Sequence, residues 1–248
     1  MSETTNRYGQ PVGTAIIGWQ APPAPAAVRL SGRFGALEPL DAVRHGPALW
    51  RAWQQSDPAI AADDDAGARW TYLGGRPFDD EAGCLAWLAS MSAESDPLAF
   101  AIVDADGHAL GMAAYLRIDT TNASLEIGHL NFSPELARTA LASESLMQLI
   151  AHAFALGYRR VEWKCDALNA ASRRAAERLG FRFEGVFRQH RVVNGRNRDT
   201  AWFSIVDAEW PELRAIQRAW LAPENVDDYG HQRQSLSTIA ASFHESGG

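Results

Sequence analysis

The sequence predicts a mixed α/β domain: a central sheet, mostly antiparallel with one parallel junction, and helices on both of its faces. Three observations carry this. Residues 98–103, 110–118 and 124–132 read as strands joined by short turns at 104–107 and 120–122, links that suit an antiparallel meander. Residues 141–155 then show helical spacing at Leu146, Leu149, Ile150 and Phe154 before a strand at 160–165, so the strands flanking that helix should lie parallel. Asn194-Gly195, between two further strand-like runs, is a strong hairpin signal.

Taken in order, residues 1–27 are polar and rich in Ala and Pro from Ala21 to Pro25, too rich in proline for a helix. They read as an extended arm packed by Ile16, Ile17 and Trp19. The domain proper covers 28–222. A strand at 30–40 enters it, and Asp41 caps a helix carrying Val43, Leu49, Trp50 and Trp53. Asp63 to Asp65 mark a loop, Trp70 to Leu73 precede a turn at 74–77, and 79–91 form a second helix with Cys84, Leu85, Trp87 and Leu88 inward. After the meander, the 141–155 helix stops at Gly157 and leads into the 160–165 strand. A helix at 169–179 closes on Gly180, the hairpin pairs 181–193 with 198–206, and Trp210-Pro211 opens a last helix ending near Leu221. Residues 223–248 read as a loosely held tail.

Composition narrows the function. Of the 248 residues 46% are hydrophobic and 21% charged, enough apolar side chain for a real core and against general disorder. A formal charge of -7 without a Lys/Arg block argues against a nucleic-acid partner. The two cysteines, Cys84 and Cys165, lack ligand spacing, so no metal site is expected. The first 30 residues have neither the basic start nor the apolar core of a signal peptide, and no apolar run approaches membrane-spanning length. A cytoplasmic protein without a membrane partner is the expectation.

The helix between the parallel strands starts at the carboxyl end of the first one, where backbone donors and the positive end of the helix dipole converge on a ligand. Segment 133–144 supplies Arg138, Thr139 and Ser143 beside small residues, donors suited to wrapping a diphosphate. The same residues equally suit an ordinary helix cap.

Five short motifs in order extend this picture: Glu126-Ile127-Gly128-His129, Ser133-Pro134, Arg138-Thr139 through Ser143-Glu144, Asn169 with Ser172, and Leu179-Gly180-Phe181 with Glu184-Gly185. Together they resemble the GCN5-related N-acetyltransferase (GNAT) superfamily, in particular its branch of RimJ/RimL-like ribosomal-protein N-terminal acetyltransferases, over roughly residues 28–208. The resemblance implies a GNAT-like acyl-CoA N-acyltransferase fold with acetyl-CoA as cosubstrate in a V-shaped opening between the strands ending at Phe132 and Cys165. Asn131 and Phe132 would offer backbone hydrogen bonds to the pantetheine arm, and a backbone N–H there would polarise the thioester carbonyl. Arg138, Thr139, Ala140, Leu141, Ala142 and Ser143 would hold the diphosphate, while Asn169 and Ser172 would face the sulfur and the arm.

Two positions depart from the family pattern. The phosphate loop carries alanines where glycines are usual, and Ala176 stands where many relatives place a tyrosine general acid. The leaving thiolate is then protonated by Ser172, by water, or not at all. An acceptor amine attacks only when neutral, so a base is needed. Glu126 sits where some relatives carry a catalytic glutamate, and it suits pairing with an arginine equally well. His129 points to the opposite strand face unless a bulge intervenes. His190 could contact the acceptor; Asp199 reads rather as a structural ion pair. Trp70 and Tyr72 lie in the segment that covers the acceptor groove in relatives and could hold an apolar or cationic acceptor, or only anchor their loop. Asp63 to Asp65 could attract a basic peptide start.

The sequence thus predicts an acetyl-CoA-dependent N-acetyltransferase acting by direct transfer on a peptide or protein N-terminal α-amino group. A small-molecule amine is the alternative acceptor, and a non-catalytic acyl-CoA sensor the alternative class. A homodimer is compatible with this reading.

Overall fold

The strands of the computed structural model, which describes residues 4–57, 66–76, 78–228 and 230–246, are β1 (Thr4–Thr5), β2 (Pro11–Val12), β3 (Leu30–Ser31), β4 (Ala36–Pro39), β5 (Leu98–Val103), β6 (Ala109–Asp119), β7 (Ser124–Phe132), β8 (Arg160–Asp166), β9 (Arg182–Val193) and β10 (Arg196–Val206). β1 and β2 form a separate small hairpin, and the other eight make one sheet in the order β3-β4-β5-β6-β7-β8-β10-β9. Among the described residues only β7 and β8 pair in parallel. The crossover between them is helix α3 (Ala140–Ala155), as a parallel connection requires.

Side chains alternate across a strand, so a strand covered on both sides must be apolar throughout. β5 meets that condition with all six residues buried. On one face α3, α5 (Trp210–Leu221) and α6 (Leu236–Ser246) pack over Leu125, Ile127, Val161, Trp163, Phe203 and Ile205. On the other, α1 (Ala42–Gln54) and α2 (Glu81–Ala93) cover Ala99, Ala101, Val103, Met112 and Ala114. These two helices lie over the β4–β6 half of their face, with Trp53 of α1 reaching the end of β7 at Asn131. The β7–β10 half stays uncovered, and there β8 turns Glu162 and Lys164 outward while Val161, Trp163 and Cys165 are buried behind.

Local signals hold where the partner is close in sequence. Asp41 caps α1 by accepting from the Val43 and Arg44 N–H groups at 2.8 and 3.0 Å. Asn194 and Gly195 both have positive φ, 50° and 72°, as the two-residue turn of β9 and β10 demands.

Four expectations change. The strand foreseen at 30–40 is a hairpin, because Gly32 N–H bonds to the Gly35 carbonyl and the buried Glu144 of α3 accepts from Arg33 and Phe34 N–H at 2.7 and 2.8 Å. In the arm Ile17 is 91% exposed and Ile16 half-exposed, while Trp19 lies beneath Arg159 and Pro22 is buried near Gly157. The tail is not loose: Leu236 and Ile239 of α6 enter the main core, and the buried Asn225 ties the link by bonding the Trp220 carbonyl and the Gln234 N–H. Trp70 to Leu73 belong to a 3-10 helix, Ala66–Leu73, rather than a loop. Asp63 to Asp65 lie outside the described residues. No helix among the described residues is long and apolar enough to cross a membrane.

Candidate functional site

β7 and β8 pair at only three positions, Ser124 with Arg160, Leu125 with Val161 and Glu126 with Glu162, and then diverge. The divergence has a local cause in a bulge on β7. Ala114 of β6 pairs with Gly128, yet Met112 pairs with Asn131, so β7 carries one extra residue, and His129 takes a left-handed φ of 50°. A Cβ on Gly128 would fall 2.4 Å from Leu116 Cδ1, so glycine permits the close approach at this point. A wedge-shaped opening results, with unpaired strand edges on either side.

Beyond the bulge the antiparallel alternation fixes what faces the opening. Ser133 N–H donates to the Leu110 carbonyl. In that register the backbone of Asn131 turns toward β6 and that of Phe132 toward the free edge. Of the two residues expected to offer backbone bonds to a ligand, Phe132 turns its backbone to the free edge and Asn131 does not. Asn131 instead accepts the Trp53 indole N–H at 3.3 Å on its carbonyl. Its carboxamide is 3% exposed and lacks a partner among the described residues. Arg69, which the sequence did not single out, donates to the Phe132 carbonyl at 3.0 Å and to the Gln55 carbonyl, pinning the 3-10 helix to the mouth of the opening. Burial pulls its guanidinium below the usual arginine range.

At the far end of β7 the chain enters α3. Arg138 has a left-handed φ of 66°, the conformation for which glycine is the usual choice, and its side chain is 64% exposed beside Asp57 Oδ2 at 3.4 Å. Thr139 is the N-cap; its Oγ1 takes the Ala142 N–H at 3.1 Å and its carbonyl the Ser143 N–H at 3.3 Å. The N–H groups of Ala140 and Leu141 carry no bond among the described residues, the two open donors of a helix start. Leu141, Ala142 and Ser143 are themselves buried and present backbone rather than side chain. Ser143 Oγ accepts from Arg178 of α4 (Ala170–Arg178) at 2.8 Å, which brings a second cation to this helix start. Arg178 was missed because its neighbours here are 35 residues away. Two open backbone donors, a helix dipole and two guanidinium groups suit a diphosphate.

On the β8 side Asn169 caps α4, its Oδ1 accepting the Ser172 N–H at 3.0 Å. Ser172 Oγ accepts from the Trp163 indole at 3.0 Å and stands beside the Cys165 sulfur. The Cys165 thiol is pushed up by burial, with Ser172 opposing, so it is no activated nucleophile. Ala176 is sealed in the core.

The uncovered sheet face carries a connected charge network. Glu126 is 3% exposed, and its Oε2 receives Arg117 Nε at 2.7 Å and Lys164 Nζ at 3.1 Å. Lys164 also meets Glu162 at 2.6 Å and sits 3.8 Å from the centre of the Trp202 ring. Arg160 continues the chain from Glu162 to Glu184. The pairing alternative for Glu126 is therefore the geometry found, and Arg117 and Lys164 are partners that spacing alone did not reveal. His129 sits on the bulge, and desolvation holds its imidazole below the ordinary value, with Glu126 opposing and Arg117 adding.

Across the face His190 Nδ1 lies 2.9 Å from Thr200 Oγ1, and its ring meets Phe187 and Trp202. Desolvation, then Arg191, Arg198, Lys164 and Arg117, keep its imidazole low. Asp199 pairs not with Arg198 but with Gln189 N–H and Asn197, at 2.7 and 2.9 Å. Trp70 is 3% exposed, edge-on to Trp53 and Phe78 at 5.5 and 5.2 Å, so it packs the core instead of facing an acceptor. Tyr72 is exposed and reaches the Leu168 carbonyl at 3.4 Å, and Asn194 at the hairpin tip bonds the Gly74 carbonyl at 3.1 Å. The opening is thus framed by the 3-10 helix on one side and the β9–β10 hairpin on the other.

Comparison with known proteins agrees with this geometry. Residues 49–182 match the family model of the acetyltransferase (GNAT) domain. A GCN5-related N-acetyltransferase from Brucella melitensis is 44% identical, with a TM-score of 0.84 over 91% of this chain and 100% of that one. A probable GNAT-family acetyltransferase from Chromobacterium violaceum is 42% identical, with a TM-score of 0.73 over 82% and 98%. A Bacillus subtilis protein named "Putative ribosomal N-acetyltransferase YdaF" is 32% identical over 106 residues, 42% of this chain. The matches span just over half the length of the curated relatives, 57% and 55%.

Proposed function

This chain belongs to the GNAT acetyltransferase family, and on that premise we propose that it transfers acetyl from acetyl-CoA directly to the α-amino group of a peptide or protein. The observation that carries this reading is the early parting of β7 and β8 beside the open N-terminus of α3. The residues fit the cosubstrate: Arg138, Arg178 and the N–H groups of Ala140 and Leu141 suit its diphosphate, and the free edge at Phe132 suits an extended arm. Acetyl-CoA supplies an activated acyl group on a thiol leaving group.

The chain's own residues supply position and proton handling. His129 stands neutral at neutral pH because desolvation disfavours its cation, which lets it accept the acceptor's proton directly or through water. Glu126, held by Arg117 and Lys164, orients the network rather than receiving that proton. Ser172, its oxygen fixed by Trp163, has a proton to offer the leaving thiolate. The name of the YdaF relative favours a ribosomal-protein acceptor over a small amine.

The test is calorimetric titration with acetyl-CoA, followed by thiol release with peptide and small-amine panels. Saturable binding weakened by Arg138→Ala, with release only when an unblocked peptide N-terminus is present, is the expected result. Binding without release for any amine would favour a sensor. No binding would end the proposal.

A further inference from the structure

The chain carries -7 overall, yet between Arg173 and Arg198 eight arginines stand against Glu177 and Glu184 alone. Strand geometry gathers part of this charge on the acceptor side of the sheet. Thr200 and Trp202 of β10 pair with Asp166 and Lys164 of β8, so they lie on the face that α1 and α2 leave open. The register shift between Arg198 and Thr200 puts its extra residues on β9, at Gln189, so along β10 the period of two keeps Arg198 and Arg196 on that face. Arg191 lies directly across from Arg198, and Val193 across from Arg196.

Arg191 and Arg196 are exposed, and neither they nor Arg198 form an ion pair among the described residues; Arg198 Nε is buried without a hydrogen-bond partner. The nearest hairpin carboxylate, Asp199, is engaged by Gln189 and Asn197. Of the sheet's other acids on this face, Glu126, Glu162 and Glu184 are neutralised by Arg117, Lys164 and Arg160, while Asp166, opposite Thr200, is engaged by the Leu168 N–H. Desolvation first, and then the neighbouring cations Arg191, Arg198, Lys164 and Arg117, disfavour a charge on His190. Phe187 and Trp202 floor the same strip with aromatic surface.

We propose that this strip receives an acidic acceptor: a peptide or protein whose residues following the α-amino group carry carboxylates that seat on Arg191, Arg196 and Arg198. The inference rests on the peptide-acceptor reading above and names its substrate class. A nucleic acid fits less well, because the acidic remainder of the chain repels an extended phosphate backbone.

The experiment compares two labelled peptides of equal length and identical first residue, one with carboxylates following it and one with lysines. Their anisotropy is read with full-length protein in saturating CoA. The acidic peptide is expected to bind roughly tenfold tighter, as a few surface charge contacts allow, and to lose that margin with added salt. Arg191→Glu with Arg196→Glu should abolish or invert the preference; Arg191→Gln, a milder change, should halve it or more. Equal binding, a preference for lysines, a preference indifferent to these substitutions, or stronger competition by an RNA oligomer of equal charge would overturn the proposal. Acetyl transfer is assayed separately. Selective acidic binding without transfer would sink the acetyltransferase reading alone, whereas transfer to both peptides with equal kcat/KM would sink the charge inference alone.

Discussion

Glu126→Gln separates a carboxylate that takes the proton from one that holds the network. The carboxylate accepts from Arg117 and Lys164 on the same oxygen, Oε2, and its side chain is 4% exposed. Glutamine keeps an acceptor oxygen but no charge. Bonds to a charged acceptor are worth about 1.5–3 kcal/mol against about 1 kcal/mol for neutral ones, so each cation loses about 1 kcal/mol. Arg117 is 48% exposed, and its share is discounted for solvent screening. Lys164 is not orphaned, since Glu162 lies at 2.6 Å and Trp202 beneath it, so the larger penalty of about 3–5 kcal/mol for a stranded buried charge does not apply. The expected loss is about 1–2 kcal/mol, a fall in Tm of roughly 3–6 °C for a chain of this size. Two assays read it: thermal unfolding, and kcat/KM for acetyl transfer across pH. A positioning role predicts the lower Tm, a rate loss within about tenfold and an unchanged pH profile. An unchanged Tm with a rate loss of about a hundredfold or more would refute the reasoning and make Glu126 the base.

The acid side of the pH profile tests His129. Its pKa lies below the ordinary value of about 6.5, so the neutral, proton-accepting form is lost only as pH falls below that value. The acceptor amine already imposes one proton's dependence from about pH 8 downward. The slope of log kcat/KM should therefore steepen from one proton to two below about pH 6.5, and His129→Gln should keep it at one. Arg138→Gly and Arg138→Ala both remove the cation, and each should weaken acetyl-CoA binding severalfold by calorimetry. Glycine alone relieves the left-handed backbone, so it should exceed alanine in stability by about 1 kcal/mol in thermal unfolding. Gly180→Ala puts a Cβ 2.5 Å from Leu213 Cδ1 at a φ of 98°, and should cost about 1–3 kcal/mol by denaturant unfolding with little effect on the ligand site. Trp70→Ala should cost about 3–5 kcal/mol as a core cavity, with Trp70→Phe recovering most of it.

Features whose physics is local were legible in the sequence. Strand alternation, helical spacing and short turns laid out the meander, the single crossover and the hairpin, because each depends on residues a few positions apart. The caps follow the same rule: Asp41, Thr139 and Asn169 each bond an N–H two or three residues on. The order of short motifs was enough to point to the family and to the opening between β7 and β8.

Tertiary structure alone decided the rest. Glu126 gained Arg117 from β6 on one side and Lys164 from β8 on the other, a pairing set by sheet register that no spacing along the chain encodes. The β7 bulge gave His129 its own direction by adding a residue that period-two counting cannot foresee. Asn131 was turned from the opening by the same register. Trp70 was drawn into a cluster with Trp53, Phe78 and Trp87, because burying a large ring against other rings outweighs exposing it on a groove. Arg69 and Arg178 reached the site from elements distant in sequence, and α6 found its place through Leu236 and Ile239 only once the sheet had supplied a core to receive them.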